Sequence, residues 1–295
     1  MKPALAIYFL LAALPLSAQR TLKVYISADM EGVAGAVTSE QLGPAGFEYG
    51  RFRQFMTDEV LAAIDGARAA GATEFLISDS HGNGQNILIE QIPDGITIVR
   101  SWPRPLMMMQ GIDDSFDAAM FIGYHASTTN PEGVRAHTMS SARLAGVYLN
   151  GTAVPEAGLN AAIAGHFGVP VVMISGDDAA VAEAQELLGP IEGAVVKWNY
   201  GFHSARTLTP GDATRLIREA AERALRRLDE FNPYVMERPV TVDITFKNYR
   251  PAEVLDYLSI VERIDAHGIR FVGSDMVEVS RFLEFVTTYE PGLQP

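Results

Sequence analysis

The sequence contains no cysteine. That absence excludes disulfides, thiol nucleophiles, Cys-ligated zinc and iron–sulfur clusters. Any metal must therefore be held by His, Asp, Glu and backbone oxygen. Positive charge is scarce as well: 23 Lys and Arg stand against 36 Asp and Glu, a formal net charge of −13. Such a balance argues against nucleic acid and anionic membranes as partners, because both need a positive surface. There is no GxSxG elbow, and Gly82-Asn83-Gly84 lacks the third glycine of a dinucleotide fingerprint. No internal repeat or low-complexity tract is present. The chain does have length, 295 residues of which 48% are apolar, enough to bury a sizeable core in one large domain or two.

The first residues read as an address. Lys2 gives a positive start, Ala4 to Leu14 is apolar, and Pro15, Leu16, Ser17 and Ala18 lead into Gln19. The pattern is that of a secretory signal peptide cut after Ala18, its apolar run being shorter than the ~20 residues of a spanning helix. Residues 1–18 are thus assigned to export, and a periplasmic or secreted protein with no membrane contact after signal removal is expected.

Beyond residue 19 strands alternate with helices. Thr21 to Ala28, Glu74 to Ser78, Ala118 to Gly123 and Pro170 to Ser175 read as strands. Glu48 to Ala70 carries Phe52, Met56, Val60, Ala63, Ile64 and Ala67 on one helical face. Leu144 to Val154 reads as a hairpin turning at Asn150-Gly151. Helices follow over Pro155 to Phe167, over Asp177 to Leu188, and from the Thr209-Pro210 cap. Val240 to Phe246 alternates as a strand, and Ser274 is expected to cap a last helix ending near Tyr289. This order implies an α/β fold, a three-layer αβα sandwich with a mostly parallel sheet, plus a smaller α+β C-terminal unit. Phe231-Asn232-Pro233 is the candidate boundary, giving a core of 19–232 and a C-terminal segment of 233–295.

The informative residues follow the early strands. The first ends in Ala28-Asp29-Met30-Glu31-Gly32, the second in Ser78-Asp79-Ser80-His81-Gly82, the third in Gly123-Tyr124-His125-Ala126. Open parallel sheets bind ligands outside the carboxyl ends of their strands, so these ends converge on one crevice. Residues two apart in an extended segment point the same way, so Asp29 and Glu31 both face it. Glu156, in the first turn of a helix, adds a carboxylate whose ionised form the helix dipole favours. Asn160 shares its face and is placed to hold it. Two histidines with carboxylates suit zinc or another first-row divalent metal. Five such ligands are too many for one open tetrahedral site and fit two metals sharing a carboxylate.

Other polar residues read more plainly. His166 closes a helix, His267 sits in a turn, and Tyr200 to Ser204 is a Gly/aromatic surface loop carrying His203. Met107, Met108 and Met109 read as core. Asp177 and Asp178 follow a strand, where they either accept a substrate's amino group or cap the next helix.

Taken together, Asp29-Met30-Glu31-Gly32, Asp79-Ser80-His81, Gly123-Tyr124-His125-Ala126, Val134 to Met139 and Pro155 to Asn160 resemble the zinc D-aminopeptidases of the dipeptide-transport operon type, peptidase family M55. The resemblance runs from Leu22 to Gln185 and thins after Lys197. It implies a dinuclear zinc peptidase with two zinc ions per subunit. By it Asp29 bridges both metals, Glu31 and His81 complete one site, and His125 and Glu156 complete the other. His137 matches a catalytic histidine. The resemblance also implies homodecameric rings, a short peptide as substrate, and release of its N-terminal residue, a D-amino acid in the best-known case. Substrate-binding residues are not identified. A two-metal phosphoesterase and an exported non-catalytic peptide- or metal-binding protein are the alternatives.

Overall fold

The computed structural model describes residues 21–289. The signal segment assigned to residues 1–18 lies outside them. Elements follow in the order β1 (Leu22–Ala28), α1 (Ser39–Leu42), α2 (Tyr49–Ala69), β2 (Ala72–Asp79), β3 (Thr97–Val99), β4 (Ala118–Tyr124), β5 (Leu144–Leu149), β6 (Thr152–Ala153) and α3 (Glu156–His166). They continue with β7 (Val171–Asp177), α4 (Asp178–Leu188), β8 (Glu192–Gly201), β9 (Ser204–Thr207), α5 (Pro210–Arg226), β10 (Val240–Phe246), α6 (Tyr249–Leu255), β11 (Val261–Arg263), β12 (Gly268–Gly273) and α7 (Met276–Thr288). Among them no helix is long and apolar enough to cross a membrane.

Seven strands form the main sheet in the order β3-β2-β1-β4-β7-β8-β9, parallel except for β9. Its central strands β4 and β7 are buried along their whole length, as parallel strands covered on both faces must be. Helices α2 and α5 pack together over one face; α3 and α4 cover the other. The α/β sandwich is as expected. The second sheet is antiparallel, β11-β12-β10-β5-β6. It joins the Asn150-Gly151 hairpin, both residues at positive φ, to the C-terminal strands. In β10 Val240, Val242, Ile244 and Phe246 point inward and alternate with half-exposed residues, as the pleat requires. Helix α7 lies on this sheet through Phe282, stacked on Phe271 of β12 at 4.1 Å, and also reaches α3.

Some local expectations change. The cap of α7 is Asp275, whose carboxylate takes the N–H groups of Val277 and Glu278; Ser274 instead donates its own N–H to Glu278. Tyr200 to Ser204 is the turn of the β8–β9 hairpin rather than a free loop. Asp177 caps α4 through Ala180 N–H.

Two close contacts set the ends of the central strands. Gly123 has φ of 72° and turns the chain out of β4. Gly32, after β1, donates its N–H to the Gly123 carbonyl at 2.7 Å. A Cβ on Gly32 would lie 2.0 Å from the Tyr124 carbonyl oxygen. Beneath the same loop two ionisable groups are buried. Lys197 of β8 donates to the carbonyls of Glu31, Val33 (3.2 Å) and Ala36 (2.6 Å), and Glu59 of α2 accepts from Ala34 N–H at 2.9 Å. Burial pushes Glu59 up to about 7 against the pull of Ala34 N–H and Lys197, and pushes Lys197 down to about 8.

Gly32→Ala is therefore expected to destabilise the fold by about 3 kcal/mol or more, because backbone must move. Gly43→Ala, where nothing lies within 4 Å, should cost less than about 0.5 kcal/mol in the same chemical-denaturation experiment. Glu59 generates a pH signature. Its native pKa lies above its ordinary 4.5, so the native state holds the proton more tightly than the unfolded chain. Stability falls as pH rises from 4.5 to about 7, by about 3 kcal/mol at most. Glu59→Gln removes that titration, so its stability relative to wild type should rise between pH 5 and 7.5. A difference that stays flat across that range refutes the assignment.

Candidate metal centre

Five buried side chains meet outside the carboxyl ends of β1, β2 and β4: Asp29, Glu31, His81, His125 and Glu156. Asp29 follows β1 directly and its N–H bonds the Ile122 carbonyl at 2.8 Å. Glu31 reaches the same side as Asp29, but through a turn closed by Val33 N–H on the Met30 carbonyl rather than through the pleat. His81 extends from β2, whose continuation is pinned by Ser80 N–H on the Ala28 carbonyl. His125 follows β4, and Glu156 opens α3.

The distances divide the cluster into two halves around one carboxylate. Asp29 Oδ1 lies 3.1 Å from His81 Nδ1, which is also 2.7 Å from Glu31 Oε2. Asp29 Oδ2 lies 3.3 Å from His125 Nε2, which is 3.5 Å from Glu156 Oε1. His137 stands at the edge of the second half, its Nε2 3.6 Å from Glu156 Oε1 and its ring stacked on His125 at 4.0 Å. Its side chain is 13% exposed, against none for His125, so it faces the cleft most openly of the three imidazoles.

Each imidazole is oriented by a backbone carbonyl on its far side. His81 Nε2 donates to Leu42 O (2.6 Å), His125 Nδ1 to Ala126 O (3.0 Å) and His137 Nδ1 to Arg135 O (2.8 Å). A carbonyl oxygen only accepts, so each of those nitrogens carries the proton. The opposite nitrogen of each ring faces carboxylate oxygens, and in the unprotonated ring it would offer its lone pair to a metal. Metal-ligating histidines are held by their far nitrogen in this way. Asp29 Oδ2 and His125 Nε2 are both buried and without a hydrogen-bond partner among the described residues. Either a proton or a metal cation must lie between such a nitrogen and a carboxylate oxygen, and a donor set of carboxylates and imidazoles suits zinc. His125, His137 and Glu156 can bring one donor atom each within 4.8 Å of one another, and so can Asp29, Glu31 and His125.

The charges respond accordingly. Burial pushes Asp29 up, and Glu31 beside it pushes the same way. Burial works against a charged His81, but the Glu31 and Asp29 carboxylates outweigh it and hold the ring well above its usual value. Glu156 and Asp29 do the same for His125. Burial would raise Glu31, yet His81 brings it well below the ordinary carboxylate range. The three buried carboxylates concentrate negative charge, which protonated imidazoles or a bound cation would balance.

The His137 loop is built from outside. Val134 N–H bonds Asp177 Oδ2 at 2.6 Å, and Arg135 N–H bonds the Phe202 carbonyl at 3.0 Å. Arg135 and Met139, on either side of His137, both adopt positive φ, a conformation costly for non-glycine residues and concentrated at functional sites. Met139 thereby aims its N–H at Glu156 Oε1 (2.7 Å). Asn160 does not hold Glu156, as its spacing predicted; its amide donates to Tyr124 Oη (2.9 Å) and Met108 Sδ. Asp177 is a helix cap and loop anchor, and Asp178 takes Asn199 N–H, so neither is the acceptor considered for a substrate amine. His203 is exposed on the hairpin turn that props this loop. His166 accepts from Arg238 outside the site. Ser80 bonds the hydroxyls of Ser27 and Ser78 and does not act as a nucleophile with His81. Lys197, Glu59 and Arg143 were not legible as site residues, since none stands in a motif.

The chain is similar to known peptidases over most of its length. The family model described as D-aminopeptidase, peptidase M55, matches residues 22–285. A D-aminopeptidase of Bacillus subtilis (strain 168) is 35% identical over 271 residues, which cover 90% of this chain and 97% of that one. The solved structure of the Zn-dependent D-aminopeptidase DppA from Bacillus subtilis, described as a self-compartmentalizing protease, superposes with a TM-score of 0.87 at 33% identity, over 90% of this chain and 97% of that one. With its motifs, fold and metal-ligand cluster in agreement, the chain belongs to the D-aminopeptidase family of peptide hydrolases, peptidase family M55.

Proposed function

We propose that this chain is a dinuclear zinc aminopeptidase that removes the N-terminal residue, a D-amino acid among its substrates, from short peptides. The observation that carries the reading is Asp29, whose two oxygens face separate imidazole–carboxylate pairs. Glu31 and His81 would hold one ion, His125 and Glu156 the other, and Asp29 both. Zinc bound there supplies Lewis-acid polarisation of a carbonyl and a water of lowered pKa. The chain supplies the rest. His137, its Nδ1 proton committed to Arg135 O, has Nε2 as the atom that exchanges a proton or hydrogen-bonds with the substrate. Met139 N–H holds Glu156 in register with His125. The signal-like N-terminus supports export, where wall-derived peptides are at hand. A homo-oligomer, decameric by family resemblance, is supported by exposed apolar side chains of the C-terminal segment: Tyr257 and Ile260 in the loop after α6, Val272 of β12 and Tyr289 just after α7.

Purified protein should bind about two zinc ions per subunit and cleave D,D- or L,L-alanyl-alanine but not the N-acetylated dipeptide, with activity lost on chelation and regained with zinc. Absence of bound metal, and no hydrolysis after zinc is restored, would overturn the reading. Asp29→Asn should deplete both ions, whereas Glu31→Gln should remove about one. Equal depletion by the two variants would argue against a shared carboxylate. His137→Ala should lower kcat about 10²- to 10⁴-fold with zinc content near wild type. Loss of zinc with activity would make His137 a ligand instead.

A further inference from the structure

The metal centre opens into a cleft of about 280 Å³. Asp29, Glu31, His81, His137 and Glu156 line it together with Arg143 and the α7 residues Glu284, Thr287 and Thr288. The volume lies near the lower end of ligand pockets, roughly 300–1,000 Å³, and suits a compact substrate. Arg143 is the one arginine or lysine among the described residues that line the cleft.

Arg143 is half-buried, and its partners are all neutral. Its Nε donates to Ser140 Oγ at 3.3 Å and its Nη2 to the Thr287 carbonyl at 2.7 Å. No carboxylate lies within ion-pair distance of it among the described residues, although acidic side chains outnumber basic ones in the chain. Glu284, which also lines the cleft, is engaged elsewhere, accepting from Arg104 N–H at 2.9 Å. Burial lowers the Arg143 pKa with no neighbouring carboxylate to offset it. A guanidinium offers five N–H donors, and the two anchored ones fix its plane. The other three have no acceptor among the described residues. A desolvated guanidinium with an open donor edge is a receptor for a planar anion, and the matching group is a carboxylate held by two parallel hydrogen bonds.

We propose that Arg143 binds the free C-terminal carboxylate of the peptide, making this a hydrolase of very short, zwitterionic peptides rather than of peptide amides or long chains. This rests on the aminopeptidase reading above. The substrate's amino end, as the free amine, would lie on the metal side, and its carboxylate end at Arg143. Anchoring the carboxylate there would fix both the direction and the length of the substrate.

The test is the ratio of kcat/KM for D-alanyl-D-alanine to that for its C-terminal amide, in zinc-loaded wild type, Arg143→Met and Arg143→Lys. Wild type should favour the free acid about 10- to 100-fold, the worth of a charge-assisted pair. Arg143→Met should bring the ratio close to one, mainly through a higher KM for the acid. Arg143→Lys should recover part of it, since charge is kept and the planar fork lost. Zinc content of each variant, measured in parallel, reports whether the centre is intact. A wild-type ratio near one, or equal losses on acid and amide in an Arg143→Met protein that retains its zinc, overturns the proposal while leaving the aminopeptidase reading in place. If zinc-loaded wild type cleaves neither compound, both fall together.

Discussion

Asp29 is a carboxylate with almost no access to water, set between two imidazoles that each turn a ring nitrogen toward it. Burying such a group without a cation costs several kcal/mol. Much of the surrounding structure makes sense as a response to that constraint. Three histidines are each tied by their far nitrogen to a backbone carbonyl, so none can rotate to relieve the contact. Short helix α1 places the Leu42 carbonyl that orients His81. The strained backbone at Arg135 and Met139 brings His137 and a Glu156-binding N–H into position. The site is preorganised for cations at the expense of the apo fold.

The loop carrying Asp29 and Glu31 cannot hold itself in place. Its carbonyls converge on Lys197, an ammonium donating to three backbone oxygens, and one of its N–H groups goes to Glu59. A buried lysine in this setting acts as a fixed bracket. Its charge is met by backbone dipoles with Asp177 and Glu59 nearby. On the opposite side Gly32 lets the loop lie against the β4 end with no Cβ between them. The metal ligands are thus fixed from below by charge and from the side by steric fit, and strand β8, which contributes no ligand, still determines where they stand.

The sequence carried most of this, and the limits have physical causes. Near-continuous apolar runs and periodic helices specified the sandwich. Asp29, Glu31, His81, His125 and Glu156 could be singled out by their places at strand ends or in a first helical turn, whereas His137 was marked only by the family resemblance. The misses arise where a side chain has two chemically equivalent tasks. Asn160 shares a helix face with Glu156, but the Tyr124 hydroxyl lies within its reach and competes successfully. Ser274 and Asp275 can each cap a helix, and the ionised carboxylate took two N–H groups where the hydroxyl would take one. Lys197 and Glu59 reach the loop after β1 from distant parts of the chain, and only folding brings them there. Nothing local marks a buried lysine in a strand or an arginine after a loop.

The second sheet explains why the C-terminal segment belongs to the site at all. Strand β10 pairs with β5, whose hairpin leads directly into α3 and hence to Glu156. Helix α7 packs on that sheet and lays Glu284, Thr287 and Thr288 along the cleft. From there Ser280 reaches the Pro105 carbonyl and Glu284 takes Arg104 N–H, fastening α7 to the main sheet's side of the opening. Arg143 is held between the two, its guanidinium on the Thr287 carbonyl and its backbone beginning β5. Strand ends of the main sheet thus place Asp29, Glu31, His81 and His125, whereas the hairpin of the antiparallel sheet leads to Glu156, and α7, packed on that sheet, brings Glu284, Thr287 and Thr288 to the same cleft.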